Sequence, residues 1–203
     1  SEAMHSLLFD RCGLHGIEFM STPFDESAAD FLISLGMRRI KIPSGEITNH
    51  PFLRHLARKD VPLILSTGMA TLDEIKEATE VIRLEREASG LRQPLSQILT
   101  VLHCTSNYPA AFGDVNLRAM RTIADAIQLP VGYSDHTLGI AVSAAAVALG
   151  ATVIEKHFTL DKAMPGPDHQ ASLTTNELSA MIEQIRIVDL SLGDPCKPVS
   201  YTH

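Results

Sequence analysis

The chain has 203 residues, 45% of them apolar, and a formal net charge of −7, enough for one sizeable core or two small ones. The acidic balance and the lack of a dense Lys/Arg block argue against nucleic-acid binding, and no apolar run reaches the roughly 18 residues of a membrane span. Ser1-Glu-Ala-Met-His-Ser6 lacks the basic start of a signal peptide, and Cys12, Cys104 and Cys196 are too few and too scattered for a disulfide framework or a zinc site, so a reducing cytoplasm is the default expectation.

Residues 5–14 read as the last turns of a helix. A rhythm follows. Gly16 to Pro23 reads as a strand with a polar end, and Asp25 to Leu35 as a helix with Asp25 as N-cap, closed by Gly36. Arg39 to Glu46 is a second strand, and a helix from Pro51 to Lys59 carries proline at its start. Val61 to Met69 is a third strand; Thr71-Leu-Asp-Glu74 opens a helix towards Glu87 as a capping box. Residues 88–97 form a turn-rich connection, and Ile98 to Ser106 is a fourth strand. After a loop and a helix over roughly 116–127 come strands at Val131–Thr137 and Thr152–Thr159, separated by an Ala-rich helix that stops at Gly150. Thr174-Thr-Asn-Glu177 starts a final helix to about Gly193. Six βα units with hydroxyl or histidine tips predict a parallel α/β sheet with its chemistry on the C-terminal rim. No Gly-rich phosphate loop follows the first strand, as a doubly wound sheet usually has. Residues gathered from many strand ends instead indicate a (β/α)₈ TIM-barrel type, two strands short of closure.

Val131-Gly-Tyr-Ser-Asp-His-Thr137 and Thr152-Val-Ile-Glu-Lys-His-Phe-Thr159 are the centre of the pattern. A strand-helix-strand unit makes its two strands parallel neighbours. His136 and His157 should therefore meet at one rim, a fitting seat for a divalent metal. The alternative is a pair of ordinary histidines satisfied by backbone. Asp135 or Glu155 could orient a ligand. His103 on the preceding strand suits core packing better than ligation. Lys41 lies inside an apolar strand and calls for an anion, a phosphate or carboxylate that Ser44 and the Gly45 amide would help to hold; snorkelling outward is its other option. Glu46 at the rim is a candidate acid or base. Ser21-Thr22, Ser66-Thr67-Gly68 and Thr105-Ser106-Asn107 offer donors at strand ends, each a weak signal alone. Tyr108 and Asp168 are loop residues able to touch a polar substrate, and His169 suits a structural role. These residues describe an α/β enzyme with a divalent metal and an anionic substrate, and leave the reaction open.

Phe19-Met-Ser-Thr-Pro-Phe24, Lys41-Ile-Pro-Ser-Gly-Glu46, Leu65-Ser-Thr-Gly-Met69, His103-Cys-Thr-Ser-Asn-Tyr-Pro109, Tyr133-Ser-Asp-His-Thr137, Glu155-Lys-His-Phe-Thr159 and Gly166-Pro-Asp-His169 closely resemble the sialic acid synthase family, in order and over essentially the whole chain. That family includes N-acetylneuraminate, legionaminic acid and pseudaminic acid synthases. The resemblance implies a TIM-barrel enzyme that condenses phosphoenolpyruvate with an N-acetylated amino sugar such as N-acetylmannosamine. It further implies a Mn²⁺-type ion on His136 and His157. Thr22, Lys41, Ser44, Ser134 and the Ser106/Asn107 region would hold phosphoenolpyruvate, and Glu46, Tyr108 and Asp168 would hold or protonate the sugar. Against the family pattern, two barrel strands are expected to be lacking at the N-terminal side, and Pro43 replaces a smaller residue. Residues 1–193 are expected to form the barrel domain, with 194–203 a linker towards a C-terminal antifreeze-like domain that in the family completes a swapped homodimer. Two other readings remain: a metal-dependent aldolase that uses pyruvate, and a truncated barrel that binds sugar, metal or a partner without catalysis.

Overall fold

The computed structural model describes residues 1–194. Five strands form one parallel sheet: β1 (Ile40–Ile42), β2 (Leu63–Ser66), β3 (Leu99–Cys104), β4 (Val131–Asp135) and β5 (Ile154–Lys156). Their order in space is their order in sequence. A doubly wound sheet reverses direction at a switch point; this sheet winds one way, as a barrel wall does. Five strands leave the wall open, so the fold is part of a (β/α)₈ barrel.

Helices α1 (Glu2–Leu14) and α2 (Glu26–Ser34) precede the sheet. Then α3 (His50–Ala57), α4 (Leu72–Ala88), the short α5 (Leu95–Ile98), α6 (Ala119–Ile127) and α7 (Ala141–Ala148) alternate with the strands, and α8 (Thr175–Leu192) closes the described chain. The expected caps form. Asp25 accepts the Ala28 amide at 2.7 Å at the head of α2, and Thr71/Glu74 and Thr174/Glu177 close reciprocal boxes on α4 and α8. Pro51 sits in the first turn of α3, where its missing N–H costs nothing.

Successive strand side chains face opposite ways, and the register sorts them. Ile40, Ile42, Leu63, Leu65, Leu99, Val101, Val131 and Tyr133 join Leu53, Leu56 and Ile82 from the helices in one apolar layer. The opposite face carries Lys41 beside Ile64, then Ser66 beside Leu102 and Gly132, then Cys104, Ser134 and Glu155 in a row. Residue parity continues that face to His136 and His157. Gly132 lets β4 and β5 approach: a Cβ there would stand 2.4 Å from the Val153 carbonyl oxygen.

Two expectations need correction. Residues 16–23 form no ladder; Phe19 packs against the core while the segment stays irregular, with the Ser21 amide directed at Met37 sulfur. An apolar run does not by itself bring a pairing neighbour: Phe19 is half-buried and Pro23 buried, while Ile17 and Met20 stay exposed. The described residues accordingly contain five paired strands rather than six. The second predicted strand also ends early, at Ile42, because Ser44–Glu46 turns into a 3₁₀ helix. The linker expected at 194–203 lies, apart from Asp194, outside the described residues.

Candidate active site

Lys41 is the deepest charge of the inner face, 8% exposed. Its ammonium lies 3.3 Å from Glu155 Oε2. The anion expected from a substrate is thus supplied first by the protein, and Lys41 does not snorkel outward. The Ser134 hydroxyl donates to Glu155 Oε1 at 2.6 Å and stands 3.4 Å from His136 Nε2. His136 Nδ1 is 2.8 Å from the Thr105 carbonyl oxygen. A carbonyl only accepts, so Nδ1 carries the proton. Ser134 spends its proton on the carboxylate, which leaves the His136 Nε2 lone pair free. Burial, with His157 nearby, lowers the His136 pKa against the opposing pull of Thr105, so the imidazole is held neutral.

The rings of His136 and His157 lie 5.3 Å apart. Tyr108 covers both, with ring distances of 4.1 Å to His136 and 5.5 Å to His157. Burial raises the Tyr108 pKa, keeping its hydroxyl protonated. Asp168 Oδ2 is 3.9 Å from His157 Nδ1, an approach that would orient the ring with Nε2 outward. The two histidines suit a divalent transition metal: two imidazoles side by side, with the Thr105 carbonyl behind His136 Nδ1 and the Asp168 carboxylate on the side of His157 Nδ1. Among the described residues no group of three or more His, Cys, Asp and Glu side chains converges. Among the described residues the rim therefore offers His136 and His157 as its pair of imidazole ligands.

A second cluster adjoins the first through Cys104, which neighbours Ser134 across the sheet and accepts the Gly68 amide at 2.9 Å. Gly68 has φ +53°, and a Cβ on it would lie 2.5 Å from Ser44 Cβ and 3.4 Å from Ser106 Oγ. Backbone without a side chain is what lets these two hydroxyls gather there. The Ser66 and Thr105 hydroxyls are buried without a hydrogen-bond partner, as donors awaiting a ligand would be.

Lys41, Ser44, Ser106, Tyr108, Ser134, His136, His157 and Asp168 are thus brought to one rim. Glu46 lies on the 3₁₀ turn and accepts the Asn49 side-chain amide at 2.6 Å. Thr22, in the irregular segment, and Asn107 form no side-chain hydrogen bond among the described residues. His103 faces the other way, 2.8 Å from the Val115 carbonyl and against Tyr133, and His169 is held by Thr159 at 2.7 Å. Asp135 is a correction: it points to the outer face, bound to Lys156, and orients no rim histidine directly. Sequence reasoning cast Glu155 as a ligand-orienting group and missed its pairing with Lys41. Alternation along Ile154-Glu-Lys-His157 was the available signal, since it puts Glu155 on the face of His157. A cleft of about 430 Å³, lined by Arg83, Arg86 and Arg92, lies at the opposite end of the sheet, between the end of α4 and the start of β3.

Comparison with known proteins gives a consistent picture. The model of the NeuB family matches residues 1–197. The chain is 56% identical over 193 residues to N,N'-diacetyllegionaminic acid synthase of Legionella pneumophila, covering 95% of this chain and 53% of that protein. It is 40% identical to human N-acetylneuraminate-9-phosphate synthase, covering 90% of this chain and 48% of the human protein. The chain thus spans about half the length of these curated relatives. A solved N-acetylneuraminic acid synthetase from Leptospira borgpetersenii superposes with a TM-score of 0.89 at 31% identity, over 99% of this chain and 67% of that one. A truncated 3-deoxy-D-arabino-heptulosonate 7-phosphate synthase from Thermotoga maritima shares the fold, with a TM-score of 0.77 at 18% identity over 95% of this chain and 73% of that one.

Proposed function

Because the chain belongs to the NeuB family, we propose that it is the strand-rim portion of a synthase that condenses phosphoenolpyruvate with an N-acetylated amino sugar to give a nonulosonic acid and phosphate. One observation carries this reading: an inner-face chain of contacts from Lys41 through Glu155 and Ser134 to His136, with His157 beside it. A buried ammonium with hydroxyls around it is a seat for a small dianion. Lys41, Ser134, Ser44 and Ser106 hold phosphoenolpyruvate, with Thr22 and Asn107 assigned by the resemblance. Glu155, its side chain 41% exposed, yields the ammonium to the substrate on binding.

Carbon 3 of phosphoenolpyruvate forms the new bond to the sugar aldehyde carbon, water adds at carbon 2, and phosphate leaves from carbon 2. Mn²⁺, held by His136 and His157, would supply Lewis-acid polarisation of the aldehyde oxygen. Glu46 is the acid-base candidate, and Tyr108 and Asp168 hold the sugar. Phosphoenolpyruvate brings no nitrogen, so every acetamido group of the product comes from the sugar. The higher identity to two N,N'-diacetyllegionaminic acid synthases, 56% and 54%, than to human N-acetylneuraminate-9-phosphate synthase at 40% supports a diacetamido sugar. A homodimer of the longer protein and a cytoplasmic location complete the proposal; Cys12 and Cys104, both free thiols, suit a reducing compartment.

The test is a thermal-shift titration with Mn²⁺ and with phosphoenolpyruvate on this chain and on His136→Ala. Mn²⁺ is expected to raise Tm in the wild type and to lose most of that effect in the variant. Pyruvate in place of phosphoenolpyruvate should produce no shift; a response to pyruvate alone would favour an aldolase. If neither Mn²⁺ nor phosphoenolpyruvate moves the wild type, the reading fails for this chain.

A further inference from the structure

Behind the two rim histidines, on the outer face of the sheet, lies a buried polar network that the proposed chemistry does not use. The last ladder pair of β4 and β5 is Asp135 with Lys156. Beyond it the backbone hydrogen bonds between these strands stop, just where His136 and His157 begin. Lys156 Nζ is 3.0 Å from Asp135 Oδ2, with side-chain exposures of 2% and 0%. The same ammonium donates to the Thr137 carbonyl. Asp135 Oδ1 accepts the Thr137 amide at 2.9 Å and its hydroxyl at 2.7 Å, and Oδ2 accepts Ser143 from α7 at 2.6 Å. His136 is therefore bracketed. The residues on both sides of it, Asp135 and Thr137, bind one ammonium, and that ammonium belongs to the residue immediately before His157.

We propose that Asp135 and Lys156 are positioning residues: they clamp the exits of β4 and β5 and thereby set the spacing of the His136 and His157 rings. The inference rests on the reading of these histidines as a working pair. A buried ion pair adds little net stability compared with well-packed apolar side chains, because desolvating both charges offsets their attraction. What it supplies here is direction. Side chains that could slide past one another are replaced by five short polar contacts with fixed geometry. A clamp made outside the rim also leaves the histidine Nε2 atoms free, which a clamp made on the rings would not.

The test separates positioning from stability. Asp135→Asn/Lys156→Met neutralises both charges, keeps an acceptor for Thr137 and fills the ammonium stem, so it is expected to stay folded. In the wild type, nitrogen-15 NMR should show His136 with a protonated Nδ1 and bare Nε2, and a His136–His157 ring contact. The double variant, with Tm near that of the wild type, should lose the ring contact and average the two tautomers. Its Mn²⁺ affinity, read by electron paramagnetic resonance of free Mn²⁺, should fall about 10–100-fold. A folded double variant that keeps both NMR signatures overturns the proposal. If the variant does not fold, amide exchange in the wild type decides. The Thr137 amide must be protected as strongly as that of Tyr133 in the ladder; exchange as fast as the loop amide of Leu138 overturns the proposal. Equal Mn²⁺ binding by wild type and His136→Ala/His157→Ala would sink the metal reading alone, leaving the ring geometry to judge the clamp.

Discussion

His136 shows what burial does to one residue. Its folded-state pKa lies below the ordinary value of 6.5. The unfolded chain then binds more protons than the folded one at mildly acid pH, so stability is fully present above about 6.5 and falls as pH drops through the folded pKa. His136→Asn should flatten the pH dependence of Tm in that window; an unchanged slope would show that His136 does not titrate as described. Gly68 makes a second case. Its φ of +53° costs an alanine about 1–2 kcal/mol, and the new Cβ would collide with Ser44. Gly68→Ala should lower Tm and remove the thermal response to phosphoenolpyruvate. Retention of that response would separate the Ser44 and Ser106 cluster from the binding site.

The elements are held by ends as much as by faces. At the head of α8, Glu177 receives the Thr174 amide and the Lys162 ammonium, and the Lys162 bond chiefly holds its pKa down at about 2. A depressed carboxylate contributes stability above its unfolded pKa of about 4.5, lost as pH falls towards 2. Glu177→Gln should therefore be less stable than the wild type at neutral pH and nearly equal to it near pH 2. A gap constant across that range in denaturant titrations would count against the cap. Both capping boxes were legible from sequence because a cap is a local contact, complete within four residues. Residues 16–23 were misread because an apolar run with a polar end does not reveal whether a partner strand lies beside it, and pairing depends on a neighbour the segment does not choose.

Over the whole molecule the sheet divides its labour. The outer face packs the helices, and the inner face gathers polar groups at the rim. Leu65→Ala, on the outer face and fully buried, should cost about 2–5 kcal/mol, a large share of a typical 5–15 kcal/mol. Ser134→Ala, on the inner face, should leave Tm within a few degrees and abolish the shift by phosphoenolpyruvate. If Ser134→Ala unfolds the chain while Leu65→Ala does not, the two faces have been assigned the wrong way round.

The family, the parallel α/β plan and the meeting of His136 with His157 were determined by the sequence. The family follows from motif resemblance; the plan and the meeting of the histidines follow from periodicity, from local caps and from the rule that a strand-helix-strand unit is parallel. The turn of Ser44–Glu46 into a 3₁₀ helix and the unpaired course of residues 16–23 were decided by the tertiary structure alone. So were the pairing of Lys41 with Glu155, the gathering of Ser44 and Ser106 about Gly68, and the Asp135–Lys156 bracket behind the histidines. These contacts join residues from different strands or from the loops at the strands' ends. Which of them meet depends on cross-strand register, and a one-residue slip would turn every one of those side chains to the other face.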